Sequence, residues 1–192
     1  MTDTEATSGD YFEGQMLLAM PAMTDPRFER AVIYMCAHNA EGAMGLVINK
    51  TLDSIDFREL LGQLEIPVGD AMRDIAVHFG GPVENQRGFV LHSGEYRHAE
   101  TLMVTDAVGL TATLDILRAL ARGEGPERSI LALGYAGWGP GQLESEIHEN
   151  AWLSVPYDDE LMFAVDDGDK WERAFNSIGV DLSVLSGSAG RA

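Results

Sequence analysis

The sequence predicts an α+β fold built as one domain. Apolar runs of strand length recur along the chain, and segments of helical period stand among them. Of 192 residues 45% are hydrophobic, enough for one buried core.

The elements follow in order. Residues 15–20 read as a strand, stopped by Pro21, which has no amide proton for a ladder. Residues 31–37 (AVIYMCA) are a second strand, and residues 44–49 a third. The polar stretch 38–42 between the latter two predicts a hairpin, placed centrally in the sheet. Phe57, Leu60, Leu61 and Leu64 share a helical face over 56–65, ended by Pro67. Residues 75–79 and 88–92 read as a strand pair joined through Gly80, Gly81 and Pro82. Residues 101–105 add a strand. A helix follows over 111–122, with a threonine cap and Gly123 behind it. Residues 129–133 form a buried strand that leads into a glycine-rich turn from Gly134 to Gly141. Leu143 and Ile147 mark a helix, residues 151–155 a strand, and residues 161–163 and 171–178 two further helices. Few large apolar residues occur at the ends, so residues 14–182 are expected to form the domain, with flexible tails at 1–13 and 183–192.

Charge narrows the function. Thirteen basic against 31 acidic side chains give a net charge of -18, which repels phosphate backbones and anionic lipids, so direct nucleic-acid binding is not expected. The first ten residues lack the basic and apolar regions of a secretory signal, and no apolar run approaches the roughly 20 residues that cross a bilayer. The lone Cys36 cannot close an internal disulfide, which fits a reducing compartment. The expected location is the cytoplasm, without membrane contact.

Four ordered blocks carry a family resemblance. They are residues 17–21 with Asp25 and Phe28; His38 and Asn39 with 42–49; 80–83 with 87–92; and 134–138 with 141–144 and 150–152. Together they resemble the AlgH/YqgE family over nearly the whole chain. The resemblance implies a mixed, bifurcated β-sheet that includes a small closed barrel, with helices packed around it. It also implies a role in regulating transcription, with no recognised DNA-binding module attached.

The candidate ligand-binding residues lie in the last block: Gly134, Tyr135, Gly137, Trp138, Gly141, Gln142 and Glu144. Free amides at a helix start attract anions, and the two aromatics could wall a pocket; the competing reading is a tight turn with both rings in the core. The spacing is neither a P-loop nor a dinucleotide fingerprint. Cys36 and His38 stand two apart, hence on one side of a regular strand, where an imidazole could activate the thiol; a buried small hydrophobe is the competing reading. His92 with Ser93 and His78 could build a nucleophile and base, yet no G-x-S-x-G elbow is present. Glu144 and His148 share metal-ligand spacing, which equally describes an ion pair, and Asp166–Asp169 lack a full calcium loop. Glu146 is explained by the helix dipole, and Asn49, Asp25 and Arg27 by turns or caps. No metal or cofactor is expected. The favoured reading is a regulatory or accessory protein that binds a protein partner or small ligand near Gly134–Gly141, its oligomeric state open. The alternative is an enzyme on a small metabolite, using Cys36, His38 or His92.

Overall fold

The computed structural model describes residues 11–187, so residues 1–10 of the tail expected at 1–13 and residues 188–192 of the tail expected at 183–192 lie outside it. The strands are β1 (Met16–Ala19), β2 (Val32–Asn39), β3 (Gly42–Val47), β4 (Val77–Phe79), β5 (Val83–Ser93), β6 (Leu102–Met103), β7 (Val108–Thr111), β8 (Ser129–Trp138) and β9 (Trp152–Val155). The helices are α1 (Phe57–Gln63), α2 (Leu114–Ala121), α3 (Gln142–His148), α4 (Asp159–Phe163), α5 (Asp167–Ser177) and α6 (Leu182–Gly187). The expected α+β class is therefore met.

One mixed sheet runs β6-β7-β5-β8-β3-β2-β1-β9 and curls into a half-barrel, with β4 joined to β8 off this path. The β2–β3 hairpin sits centrally, as expected, although β2 reaches Asn39 and leaves a two-residue turn. Closure is local. The end of β8 pairs with β3, its start pairs with β4, and the chain beyond β3 returns to β4 through Leu52 N–H to Val77 O and Phe79 N–H to Lys50 O.

The pairing of β4 with β5 is overturned. Residues 131–133 of β8 pair with β4 on one edge, in parallel, and with β5 on the other, antiparallel. The connection through Gly80–Gly81–Pro82 must therefore pass across β8 instead of turning a hairpin. It does so in backbone contact: a Cβ at Gly81 would lie 2.0 Å from the carbonyl carbon of Tyr135, and one at Gly80 would lie 2.2 Å from Gly134 O. Gly81 and Gly134 also hold φ of +157° and +75°, a region that other residues enter at a cost. Between Val83 and Gly88 four residues of β5 arch over the bend at Gly134.

Other corrections concern boundaries. Residues 134–138 belong to β8, so the expected turn shrinks to Gly139–Gly141. Thr111 ends β7, a strand not foreseen, while Thr113 occupies the α2 cap position without a side-chain bond. Tyr11 and Phe12, assigned to the tail, rest on the His38 ring. The boundary at 182/183 falls inside α6.

Three apolar clusters follow. Tyr34, Leu46, Phe89 and Leu91 fill the inside of the curl under α4 and α5. Ile33, Met35, Leu143 and Trp152 pack the opposite face against α3, and Phe57, Leu61, Leu117 and Leu131 seat α1 and α2. α1 starts in a full capping box between Asp56 and Glu59, worth about 1 kcal/mol. Burial raises the Asp167 carboxyl, but hydrogen bonds and charge from His78 and Lys170 outweigh it and leave the group below its ordinary value. Lys170, only 3% exposed, also donates to Ile48 O at 3.3 Å and so ties α5 to the sheet.

Replacing Gly81 with alanine forces both a backbone clash and an unfavourable φ. Gly81→Ala is expected to lower unfolding free energy by at least about 1–3 kcal/mol, whereas Gly168→Ala, with nothing near its Cβ, should change little in the same urea titration.

Candidate functional site

The end of β8 separates two clefts. The first, about 700 Å3, opens at the mouth of the half-barrel between the β2–β3 hairpin and strands β5 to β7. Its apolar walls include Met44, Phe89, Leu110 and Tyr135, with Tyr135 edge-on to Phe89 at 5.8 Å. Glu41, Glu84, Arg87 and Glu100 stand around it. The second, about 430 Å3, is lined by Phe28, Pro82, Trp138 and Trp152, with the Asp25–Arg27 ion pair beside them. Arg27 holds the Asp25 carboxyl below its ordinary range through hydrogen bonds.

Gly137 and Trp138 border both clefts, and Tyr135 borders the first. Gln142 lines the second cleft, and its Oε1 accepts the Gly139 amide at 3.0 Å. That bond caps a donor that the anion-site reading required to be free. Gly141 adopts φ +71° at the α3 N-cap, in open space. Gly134 bends β8 and reaches neither cleft. Glu144 accepts from His38 Nε2 at 2.8 Å; the Phe12 amide donates to Nδ1 of the same ring. His38 thus clamps the residues before β1 to α3.

The three reactive candidates are not brought together. The ladder from β2 to β3 slips between Met35 and Ala37, so a bulge reverses the alternation and sends Cys36 and His38 to opposite faces. Cys36 lies with Tyr34 in the inner core, donating to Tyr34 O at 3.7 Å, and burial pushes its thiol far above the ordinary value. His92 is fully buried: Nδ1 donates to Ser93 O at 3.0 Å, and Nε2 accepts from Thr111, whose hydroxyl also bonds Thr101. Desolvation lowers its pKa, which favours the neutral ring. Ser93 Oγ donates to Glu95 Oε1 at 2.9 Å instead of facing His92, and His78 is held by Leu131 O and Asp167. Among the described residues no three His, Cys, Asp or Glu side chains group as metal ligands.

Two features escaped the sequence. Glu146 Oε2 accepts the indole N–H of Trp138 at 2.9 Å and of Trp152 at 2.8 Å, while Gln142 donates to its Oε1. Helix-dipole reasoning accounted for the charge and hid this role. The apolar wall of the first cleft draws on Met44, Phe89 and Leu110 from three strands, and no local pattern marks such a meeting.

The four resembling blocks meet around these clefts: Asp25 and Phe28 from the first, Met44 from the second, Pro82 and Phe89 from the third, Trp138 and Trp152 from the fourth. The AlgH-like family model, DUF179, matches residues 16–183. The chain belongs to the AlgH-like family. It is 54% identical to a UPF0301 protein of Rhodospirillum rubrum over 182 residues, 95% of each chain, and 52% identical to one of Afipia carboxidovorans over 95% of this chain and 90% of that one. The solution structure of the AlgH protein from Pseudomonas aeruginosa aligns with a TM-score of 0.77 at 39% identity, covering 100% of both chains. A crystal structure of a Corynebacterium diphtheriae protein shares the fold, with a TM-score of 0.73 at 20% identity over 92% of each chain. Within this AlgH-like chain the four blocks thus serve the β8 crossing and the cleft walls together.

Glu146→Ala strands two buried indole donors and is expected to destabilise the protein by about 1–3 kcal/mol for each, with a shifted tryptophan emission maximum; emission and stability like wild type would refute the role. Cys36 should resist an alkylating reagent in the folded protein at neutral pH and react fully after denaturation, read by intact mass.

Proposed function

We propose that this protein is a small cytoplasmic regulatory or accessory protein that works by holding a protein partner or small ligand in the cleft beside Tyr135, Gly137 and Trp138. The supporting observation is the cleft itself: a concave site of about 700 Å3 with apolar walls and charged groups around it. Ligand sites in proteins run from about 300 to 1,000 Å3 and combine these two features. The enzymatic alternative has weaker support, because Cys36, His38 and His92 are absent from the lining. An influence on transcription is better carried through a protein partner than through DNA, given the charge of -18.

Amide NMR of the 15N-labelled protein with a fragment mixture tests this reading. Shifts are expected to gather at Met44, Tyr135 and Gly137 and to vanish in Ala37→Trp, which fills the cleft from β2. Shifts centred elsewhere, or unaffected by the filled cleft, would overturn it.

A further inference from the structure

We infer that the second cleft is a binding site in its own right, for a small organic cation of the alkylated ammonium class. At about 430 Å3 it falls within the size range of small-ligand sites. Its walls are aromatic. Phe28 stands edge-to-face with Trp152 at 5.7 Å and 76°, and Trp138 with Trp152 at 6.0 Å and 82°, so three rings set near right angles bound the space. Both indole N–H groups are committed to Glu146 Oε2, which leaves the two indoles only ring surface to offer. The face of an aromatic ring carries partial negative charge and draws cations, tryptophan most strongly.

Charge points the same way. The lining holds three charged side chains, Asp25, Arg27 and Glu146. The first two cancel, because Arg27 Nε and Nη2 donate to the one Asp25 carboxylate at 3.0 and 2.7 Å. Glu146 is half-buried, and no cation stands within ion-pair distance of it among the described residues. Its donors are neutral, two indoles and the Gln142 amide, which satisfy its oxygens without cancelling its charge. A lone carboxylate charge beside aromatic rings attracts a cation and repels an anion. One cation already rests there: the Arg27 guanidinium lies 5.5 Å from the centre of the Phe28 ring. Alkylation decides the class. A carboxylate has about four acceptor sites, three of which are taken here, so a primary amine would lack acceptors for its three hydrogens, whereas methyl groups need none.

Three probes of similar shape and different charge make the test: choline, its neutral analogue with carbon in place of the quaternary nitrogen, and the anion pivalate, each titrated into 15N-labelled protein. The signals report the place. Trp152 lines only the second of the two clefts, Met44 and Tyr135 only the first, and Trp171, whose indole bonds Ala19 O in the core, serves as reference. Choline should shift the Trp138 and Trp152 indoles and leave Met44, Tyr135 and Trp171 in place, binding about tenfold tighter than the neutral analogue, with pivalate weaker still. Phe28→Leu keeps an apolar side chain but removes the ring, and should weaken choline about fivefold while hardly affecting the neutral analogue. Arg27→Gln removes the resident cation from an exposed position and should tighten choline, whereas an anion site would lose affinity. Equal affinity for the neutral analogue, tighter binding of pivalate, undiminished choline binding in Phe28→Leu, weaker choline binding in Arg27→Gln, or no shift at Trp152 would each overturn the inference. The reading of the first cleft stands or falls separately, by the fragment shifts at Met44 and Tyr135.

Discussion

The fold depends on one close crossing, where the chain leaving β4 passes over the backbone of β8 to reach its opposite edge. Two backbones can approach that closely only where side chains are missing, and Gly80, Gly81 and Gly134 supply that room. Everything around the clefts follows from it. The crossing delivers β5 to the far edge of β8, sets the arch over Gly134, and places Pro82 in the wall of one cleft and Val83 in the other.

Hydrogen bonds from buried and half-buried side chains then fasten α3 to the crossed sheet. Glu146 gathers two indoles and an amide, and Glu144 holds His38, so one short helix is pinned through adjacent turns to β2, β8 and β9. Buried indole N–H groups need partners, and a carboxylate that accepts from several donors fixes their rings more firmly than a neutral acceptor. Trp138 is consequently a rigid partition between the clefts.

Much of this order was legible in the chain. The central hairpin followed from two apolar runs around a short polar turn, and α2 from its apolar face and Gly123, which adopts φ +74° behind the helix. Local glycine content misled where tertiary contact decided: Gly134 looks like a turn former, yet it bends a strand that continues to Trp138. The four residues of β7 are too few to show a period, and Thr111 passed for a cap because its partner, His92, lies 19 positions away. The bulge at Cys36 has no signature, and it alone separated a thiol and an imidazole whose spacing placed them side by side. Tyr135, Gly137 and Trp138 were found because they share a segment; the remaining wall was not, since Met44, Phe89 and Leu110 converge only after the sheet curls.

The interior position of Lys170 has a practical corollary. The sequence contains two lysines, Lys50 and Lys170, and the second spends its ammonium on Asp167 and a backbone carbonyl deep under α5. Among the side chains, amine-directed dyes and crosslinkers therefore find a single accessible lysine, Lys50, just past the end of β3, so side-chain labelling reports on that one corner of the sheet.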